Sequence, residues 1–273
     1  MKQIIDVFKK ELNIDVKSIQ YYEGGVSNNN YLVNDKYLFR ERKSYVQHFY
    51  DTKNEVNVEH FIVDKDITFP CLYITEEGVK ITEFVKNAKD LSTYKEIPDD
   101  ILEKIAHKMK KLHDFKYKCL VDYSIDDHVS YYHENSHVEK LPNHDDVLSK
   151  ALSIVKNEEL YLCHNDLLPG NILVKDNDVY FIDFEYASNN IPTYDIAMFL
   201  SKNHISNKST IDKFLKYYYG KDIPSDIYTQ LDAFNNVINL ILYYWNMMMF
   251  NTLHEDAYLK EANRKKIALS KIK

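Results

Sequence analysis

Two hydrophobic periods divide this chain. Ile5, Phe8 and Leu12 recur at three- and four-residue spacing, which predicts a helix over 2–12 with these three on one face. Short strand-like runs follow at 16–22, 31–34 and 37–42, the last two joined by Asp35-Lys36. A second helix is predicted at about 53–65, and a hairpin over 71–75 and 79–85 turns through Glu76-Glu77-Gly78. Polar residues 86–95 form a natural boundary, after which the period is mostly helical. Ile101, Ile105, Met109 and Leu112 make one apolar stripe, ended by Leu112-His113, with His113 read as a structural, hydrogen-bonded histidine. Further helices are predicted at 143–157, from Pro192 with Thr193 as its cap, and at 208–219, 225–250 and 255–270. On the longest, Phe234, Ile238, Ile241, Trp245 and Met248 share a face. One tight strand pair interrupts the helices: 172–174 and 179–182, with Lys175-Asp176-Asn177-Asp178 between them. Residues 119–140 follow neither period and read as a solvated segment; His128, His133 and His137 lack the acidic companions of a metal site. Strands first and helices later predict an α+β chain, with lobes at 1–85 and 86–273 and a hinge at about 83–90.

With 273 residues, the chain is long enough for two lobes and a substantial core. The formal net charge of −7, with acids and bases dispersed, disfavours a nucleic-acid binder and is compatible with a cationic partner. Cys71, Cys119 and Cys163 are odd in number and show no metal spacing, which fits a reducing cytoplasm. Met-Lys-Gln-Ile-Ile-Asp lacks an apolar signal core, and the apolar run 237–250 is interrupted by Asn239 and Asn246 and too short to span a bilayer. Neither nucleic acid nor membrane is therefore an expected partner. Oligomeric state leaves no signature.

The chemistry concentrates in 161–188. Asp166, Asn171 and Asp183 stand at fixed offsets among apolar residues. The hairpin carries Asn171 at its entrance and Asp183 at its exit, so the two ends meet. An amide and a carboxylate brought together offer hard oxygen ligands, which suit Mg²⁺. Asp166 is left free to accept a proton from a hydroxyl, the division of labour that phosphoryl transfer needs. Near the N-terminus, Gly24-Gly25 precedes Ser27 and Asn28 between two strands. Such a turn lets backbone N–H groups approach nucleotide phosphates, with Ser27 and Asn28 as added donors.

His164-Asn165-Asp166-Leu167-Leu168 and Asp183-Phe184-Glu185-Tyr186-Ala187 resemble the two signatures of the choline/ethanolamine kinases, within the kinase-like phosphotransferases that include the aminoglycoside phosphotransferases. Antibiotic phosphotransferases more often carry Gly where Asn165 stands. The resemblance covers nearly the whole chain and is strongest at 24–31, 78–88, 163–174 and 181–197. It implies a bilobal protein-kinase-like fold, with an antiparallel-sheet N-lobe and a mainly helical C-lobe, and ATP as co-substrate with Mg²⁺. It also implies that Gly25, Ser27 and Asn28 cover the phosphates, and that Arg40 in the third strand contacts them. Glu55, beside Asn54, is the residue to hold Arg40, with Glu59 an alternative and Arg42 an exposed-looking competitor to Arg40. Backbone groups near Glu83 and Val85 would bind adenine. Asp195 would brace the catalytic loop. Tyr186 and Trp245 remain as members of an aromatic box for a cationic acceptor.

Two positions depart from that pattern. Met248 stands where a second tryptophan is expected, and Lys202 where a glutamate facing the substrate cation is expected. The expected activity is ATP-dependent phosphorylation of choline or a related amino alcohol such as ethanolamine. The alternatives are the same chemistry on thiamine, a sugar or an aminoglycoside, or a catalytically silent nucleotide-binding protein. The complete Asp166–Asn171–Asp183 set argues against the silent protein.

Overall fold

Helix α1 (Lys2–Leu12) docks through Ile4 and Phe8, one turn apart and both buried. Ile5, expected on that face, is 45% exposed: its neighbour Ile4 points at the sheet and turns Ile5 outward. The computed structural model describes residues 1–22, 28–43, 51–156 and 158–272. Five strands form an antiparallel sheet beside α1: β1 (Ile19–Tyr22), β2 (Asn28–Val33), β3 (Tyr37–Arg42), β4 (Cys71–Ile74) and β5 (Lys80–Glu83), in the order β1-β2-β3-β5-β4. Asn34 and Asp35 sit at φ of 54° and 52° between β2 and β3. Left-handed pairs of this kind match the twist of a tight hairpin and favour Asn and Asp.

Alternation gives β3 and β5 two characters. Phe39 and Ile81 are cross-strand partners facing the α1 core, while Arg40 and Lys80 are partners on the other face. That second face receives α2 (Thr52–Ile62), whose N-terminus is capped by the Asp51 carboxylate accepting from the Asn54 N–H at 2.8 Å.

β6 (Lys89–Asp90) belongs to a different sheet. It pairs with β8 (Ile172–Lys175), which pairs with β9 (Asp178–Phe181). Asp176 and Asn177 make the two-residue turn at φ of 50° and 63°, a tighter turn than the four-residue polar segment expected. A short two-stranded element joins β7 (Tyr161–Cys163) to β10 (Ser188–Asn190). The rest of this half is helical: α3 (Asp99–His113), α4 (Ile125–Ser136), α5 (His144–Val155), α6 (Pro192–Lys202), α7 (Lys208–Tyr219), α8 (Ile227–Leu253) and α9 (Asp256–Leu269). The α3 stripe is buried as its spacing predicts and packs in one core with Phe181, Phe199, Phe214 and Phe234.

Two local expectations are overturned. Segment 119–140 is not a solvated stretch: it contains α4, which buries Ile125, Val129 and Tyr132 and whose Ser124 hydroxyl caps the Asp127 N–H at 3.1 Å. Thr193 is not the cap of α6. Pro192 occupies the first turn after Ile191, and the Thr193 hydroxyl reaches Gln230 on α8 at 3.0 Å. Among the described residues, no helix is long and apolar enough to cross a membrane.

Candidate active site

The loop after β7 is held by one carboxylate. Asp195 on α6 accepts the N–H groups of His164 and Asn165, and its Oδ2 also takes His113 Nε2 at 3.0 Å. His113 is thereby structural, its Nδ1 bonded to the Tyr218 hydroxyl at 2.7 Å. His164 is buried; its Nε2 donates to the Ile182 carbonyl at 2.9 Å and its Nδ1 accepts from the Asp166 N–H at 3.3 Å. Burial lowers its pKa, so the ring is a neutral spacer between the loop and the end of β9. Asn165 adopts φ 64°, a left-handed geometry that asparagine tolerates. Its amide donates to the Tyr186 carbonyl at 3.0 Å and the Ser188 hydroxyl at 2.8 Å, and accepts from Asn190 at 2.8 Å.

These contacts leave Asp166 at the tip of the loop, half-buried. Asn171 Nδ2 donates to the backbone carbonyl of Asp166 at 2.8 Å and to its Oδ2 at 3.1 Å. Burial pushes its carboxyl up to about 7, Lys202 pulls it back, and Asp183 pushes it further up.

The hairpin does bring its two ends together: the Ile182 N–H donates to the Asn171 carbonyl at 3.0 Å. Asp183 follows at φ 68°. The left-handed turn swings its carboxylate toward Arg40, whose Nη1 lies 2.6 Å from Oδ1. Asn171 uses its amide nitrogen on Asp166, and Asp183 uses Oδ1 on Arg40. Among the described residues no protein donor satisfies Asn171 Oδ1 or Asp183 Oδ2. These two hard oxygens, one at each end of the hairpin, are of the kind that suits Mg²⁺.

Arg40 is buried and bonded to Glu55 as well as Asp183. Burial opposes its charge, but Glu55, Asp183 and Glu185 more than compensate and hold its pKa above the usual value. Arg42 is not exposed: its side chain is 4% accessible and its Nη2 reaches Glu55 Oε2 at 2.8 Å, so one glutamate holds both arginines. Gly78 packs over it, where a Cβ would come within 3.1 Å of Arg42 Cβ and where φ is +86°. Glu59 is not a rival for Arg40, because it pairs with Lys80 instead. Asn28, expected over the phosphates, donates to Glu185 Oε2 at 3.3 Å, across from the first sheet to the second half of the chain. Gly25 and Ser27 lie outside the described residues. Glu83 ends β5, paired with Tyr37, and the next N–H, Phe84, donates to the Lys36 carbonyl at 2.7 Å; half-buried Val85 follows.

Residues missed in the sequence build the neighbouring wall. Asn54 on α2 donates to the Ala187 carbonyl at 2.6 Å and accepts the Leu120 N–H at 2.9 Å. Asn189 clamps the same strand segment through Cys119, Val121 and Asp122. Together they fix Tyr123, which stacks on His128 at 4.3 Å and bonds to the Tyr194 hydroxyl at 2.9 Å. Tyr132 reaches the Tyr186 hydroxyl at 3.5 Å. A cavity of about 450 Å³ lies here, lined by Asn54, Tyr123, Asp127, His128, Glu185 and Tyr186 among others. Trp245 is not part of that lining; it sits half-buried on α8, edge-on to Tyr258 at 5.7 Å. The signal that could have found this wall was Ser124-Ile-Asp-Asp127, a helix-start pattern ahead of Val129 and Tyr132.

A five-stranded sheet, a helical half and a loop-and-hairpin site joined to it by Arg40 define a two-lobed, kinase-like fold. The chain belongs to the choline/ethanolamine kinase family, whose description "Choline/ethanolamine kinase" matches residues 19–221. It is 28% identical over 213 residues to Protein LicA of Haemophilus influenzae, covering 71% of this chain but 61% of that protein, under two thirds of its length. The structure resembles the choline kinase LicA of Streptococcus pneumoniae with TM-score 0.80 at 20% identity, over 100% of this chain and 99% of that one. It also resembles the ADP-bound aminoglycoside phosphotransferase APH(2'')-Ib, with TM-score 0.66 at 17% identity over 97% and 96%.

Proposed function

We propose that this protein transfers the γ-phosphoryl group of ATP to the hydroxyl of a small amino alcohol of the choline and ethanolamine class. One observation carries the reading: Asn171 binds Asp166 while its hairpin delivers Asp183 to the same place, leaving two hard oxygens beside a recessed carboxylate. Asp166 orients the acceptor hydroxyl and takes its proton. Asn171 and Asp183 hold Mg²⁺, which supplies charge neutralisation to the phosphates. Arg40, fixed by Glu55, contacts the phosphates as a permanently charged fork. Gly25, Ser27 and Asn28 lie over them, and the backbone near Glu83 and Val85 takes the adenine. Tyr186, which lines the cavity, flanks the acceptor. The lobes divide at about 83–90, and the three unpaired cysteines fit a reducing cytoplasm.

Asp166→Asn is the direct test. Turnover should fall by roughly 10²–10⁴-fold with MgATP affinity preserved; near-normal turnover defeats the assignment. Lys202, in charge range of Asp166, favours a second reading in which the chemistry stands and the acceptor differs. ADP release measured over choline, ethanolamine, thiamine and aminoglycosides separates the two.

A further inference from the structure

Alternation sorts the side chains of the five-stranded sheet onto two faces, and the registers carry that sorting from strand to strand. Arg40 is opposite Asn30 on one side and Lys80 on the other, and Asn30 is opposite Tyr22, so these four make one row on the face that receives α2. Gln20, Leu32, Leu38 and Thr82 make the next row on that face. Phe84 follows two residues after Thr82, and its N–H donates to the Lys36 carbonyl at 2.7 Å, which carries the β5 ladder one step past Glu83. With strands about 4.8 Å apart, Tyr22 on β1 and Phe84 in line with β5 are separated by three spacings, roughly 14 Å. Their ring centroids are nevertheless 5.5 Å apart, edge to face at 69°. The two side chains therefore lean toward each other over the row between them.

α2 covers this face at its arginine end, where Glu55 holds Arg40 and Arg42 and Glu59 holds Lys80. Leu32, Leu38 and Thr82 are half-buried, and Tyr22 is 41% exposed. From Arg40, strand β3 leads one way to buried Arg42 and the other way into this apolar recess with its aromatic rim.

We propose that the recess takes the purine base of the nucleotide, that Tyr22 is the side chain that packs on the base, and that Phe84 holds the Tyr22 ring in place. This rests on the phosphoryl-transfer reading above, which puts the phosphates at Arg40 and the adenine at the backbone of Glu83 and Val85. Phe84 lies between those two residues and turns its ring to the same face as Arg40, so one ligand lying along that face meets all of them. A flat base sheds water against Leu32 and Leu38 and gains a ring contact from Tyr22. Stacking of this kind depends on the aromatic ring and not on the tyrosine hydroxyl.

Calorimetric affinities for MgATP and for magnesium tripolyphosphate, which has the phosphates and no base, test this in the native protein, Tyr22→Ala, Tyr22→Phe and Phe84→Ala. Melting temperatures confirm that each variant folds. Tyr22→Ala should weaken MgATP roughly fivefold or more and tripolyphosphate less than twofold. Tyr22→Phe keeps the ring and should stay within twofold of native for both. Phe84→Ala should weaken MgATP and spare tripolyphosphate, because the Tyr22 ring loses its support. MgATP affinity unchanged in Tyr22→Ala, an equal loss for tripolyphosphate, or Tyr22→Phe as weak as Tyr22→Ala overturns the proposal while leaving phosphoryl transfer intact. A native protein that does not bind MgATP removes the phosphoryl-transfer reading, and this proposal with it.

Discussion

Asp195 accepts the backbone N–H groups of both His164 and Asn165, at 2.7 and 2.6 Å, from a position wholly removed from solvent. With His113 on the same carboxylate, three donors converge on one side chain. Asn in its place keeps the shape but turns an NH₂ toward one of those donors. Asp195→Asn should destabilise the fold by about 2–4 kcal/mol. Turnover should fall at least as much as stability predicts, because the loop that presents Asp166 loosens. Urea unfolding alongside steady-state kinetics checks both; a loss under about 0.5 kcal/mol means the clamp is not structural.

Asn165 combines a left-handed backbone with side-chain bonds to Tyr186, Ser188 and Asn190. Two variants separate these contributions. Asn165→Gly keeps the backbone geometry and loses the bonds. Asn165→Ala loses the bonds and adds strain of roughly 1–2 kcal/mol at positive φ. The expected order of unfolding midpoints is native, then glycine, then alanine. Alanine matching or exceeding glycine would show that the backbone geometry carries no penalty here.

Lysine cannot replace Arg40. Its guanidinium spans Glu55 and Asp183 at once, and a single ammonium cannot reproduce that fork. Arg40→Lys should raise the KM for ATP and lower kcat, by roughly tenfold or more in kcat/KM, the equivalent of about 1.4 kcal/mol. Unaltered kinetics would place Arg40 outside the phosphate site and leave it a lobe-to-lobe tether.

The apolar periods disclosed α3, the hairpin and the long helices because each has a wide buried stripe. They did not disclose α4, which buries its apolar residues among His128 and Ser136 and reads as polar. Asp166, Asn171 and Asp183 were legible because their spacing along a hairpin is also their proximity in space. Arg42 was not, since a strand-end arginine looks solvated until Glu55 arrives from another element. The same is true of Asn28, whose partner Glu185 is 157 residues away. Long-range pairing of polar groups has no period, so it becomes visible only in three dimensions.

His128 gives the chain a defined acid sensitivity. Its Nδ1 donates to the Ser124 carbonyl at 2.7 Å, its ring stacks on Tyr123, and burial lowers its pKa to about 4 from 6.5. Between those values the unfolded chain binds the extra proton and the folded chain does not. Its contribution is thus fully present above pH 6.5 and is lost as pH falls toward 4, a difference of about 3 kcal/mol. Asp166, pushed up to about 7, works in the opposite sense, losing stability as pH rises. His128→Phe retains the ring stack and removes the titration together with the bond to Ser124, whose loss shifts the gap equally at both pH values. The gap in unfolding free energy between native and variant should therefore close by about 3 kcal/mol in the variant's favour from pH 7 to pH 4. A constant gap would mean that His128 does not titrate in this range.

Glu59 and Lys80 form a second buried ion pair one turn along α2 from Glu55, on the strand position that pairs with Arg40. Neither side chain is more than 9% accessible. Removing one partner strands a charge in the sheet–helix interface, so Lys80→Met alone should cost about 3–5 kcal/mol. Replacing both, as Glu59→Leu with Lys80→Met, leaves apolar groups of similar volume and should cost under about 1 kcal/mol. If the pair serves only to seat α2, the double variant should also retain the native KM for ATP, because Glu55 stays in reach of Arg40. If that KM rises severalfold while stability is restored, the ion pair sets the height of α2 on the sheet, and with it the position of the phosphate-binding arginine. Unfolding curves and ATP kinetics on the same three proteins distinguish these outcomes.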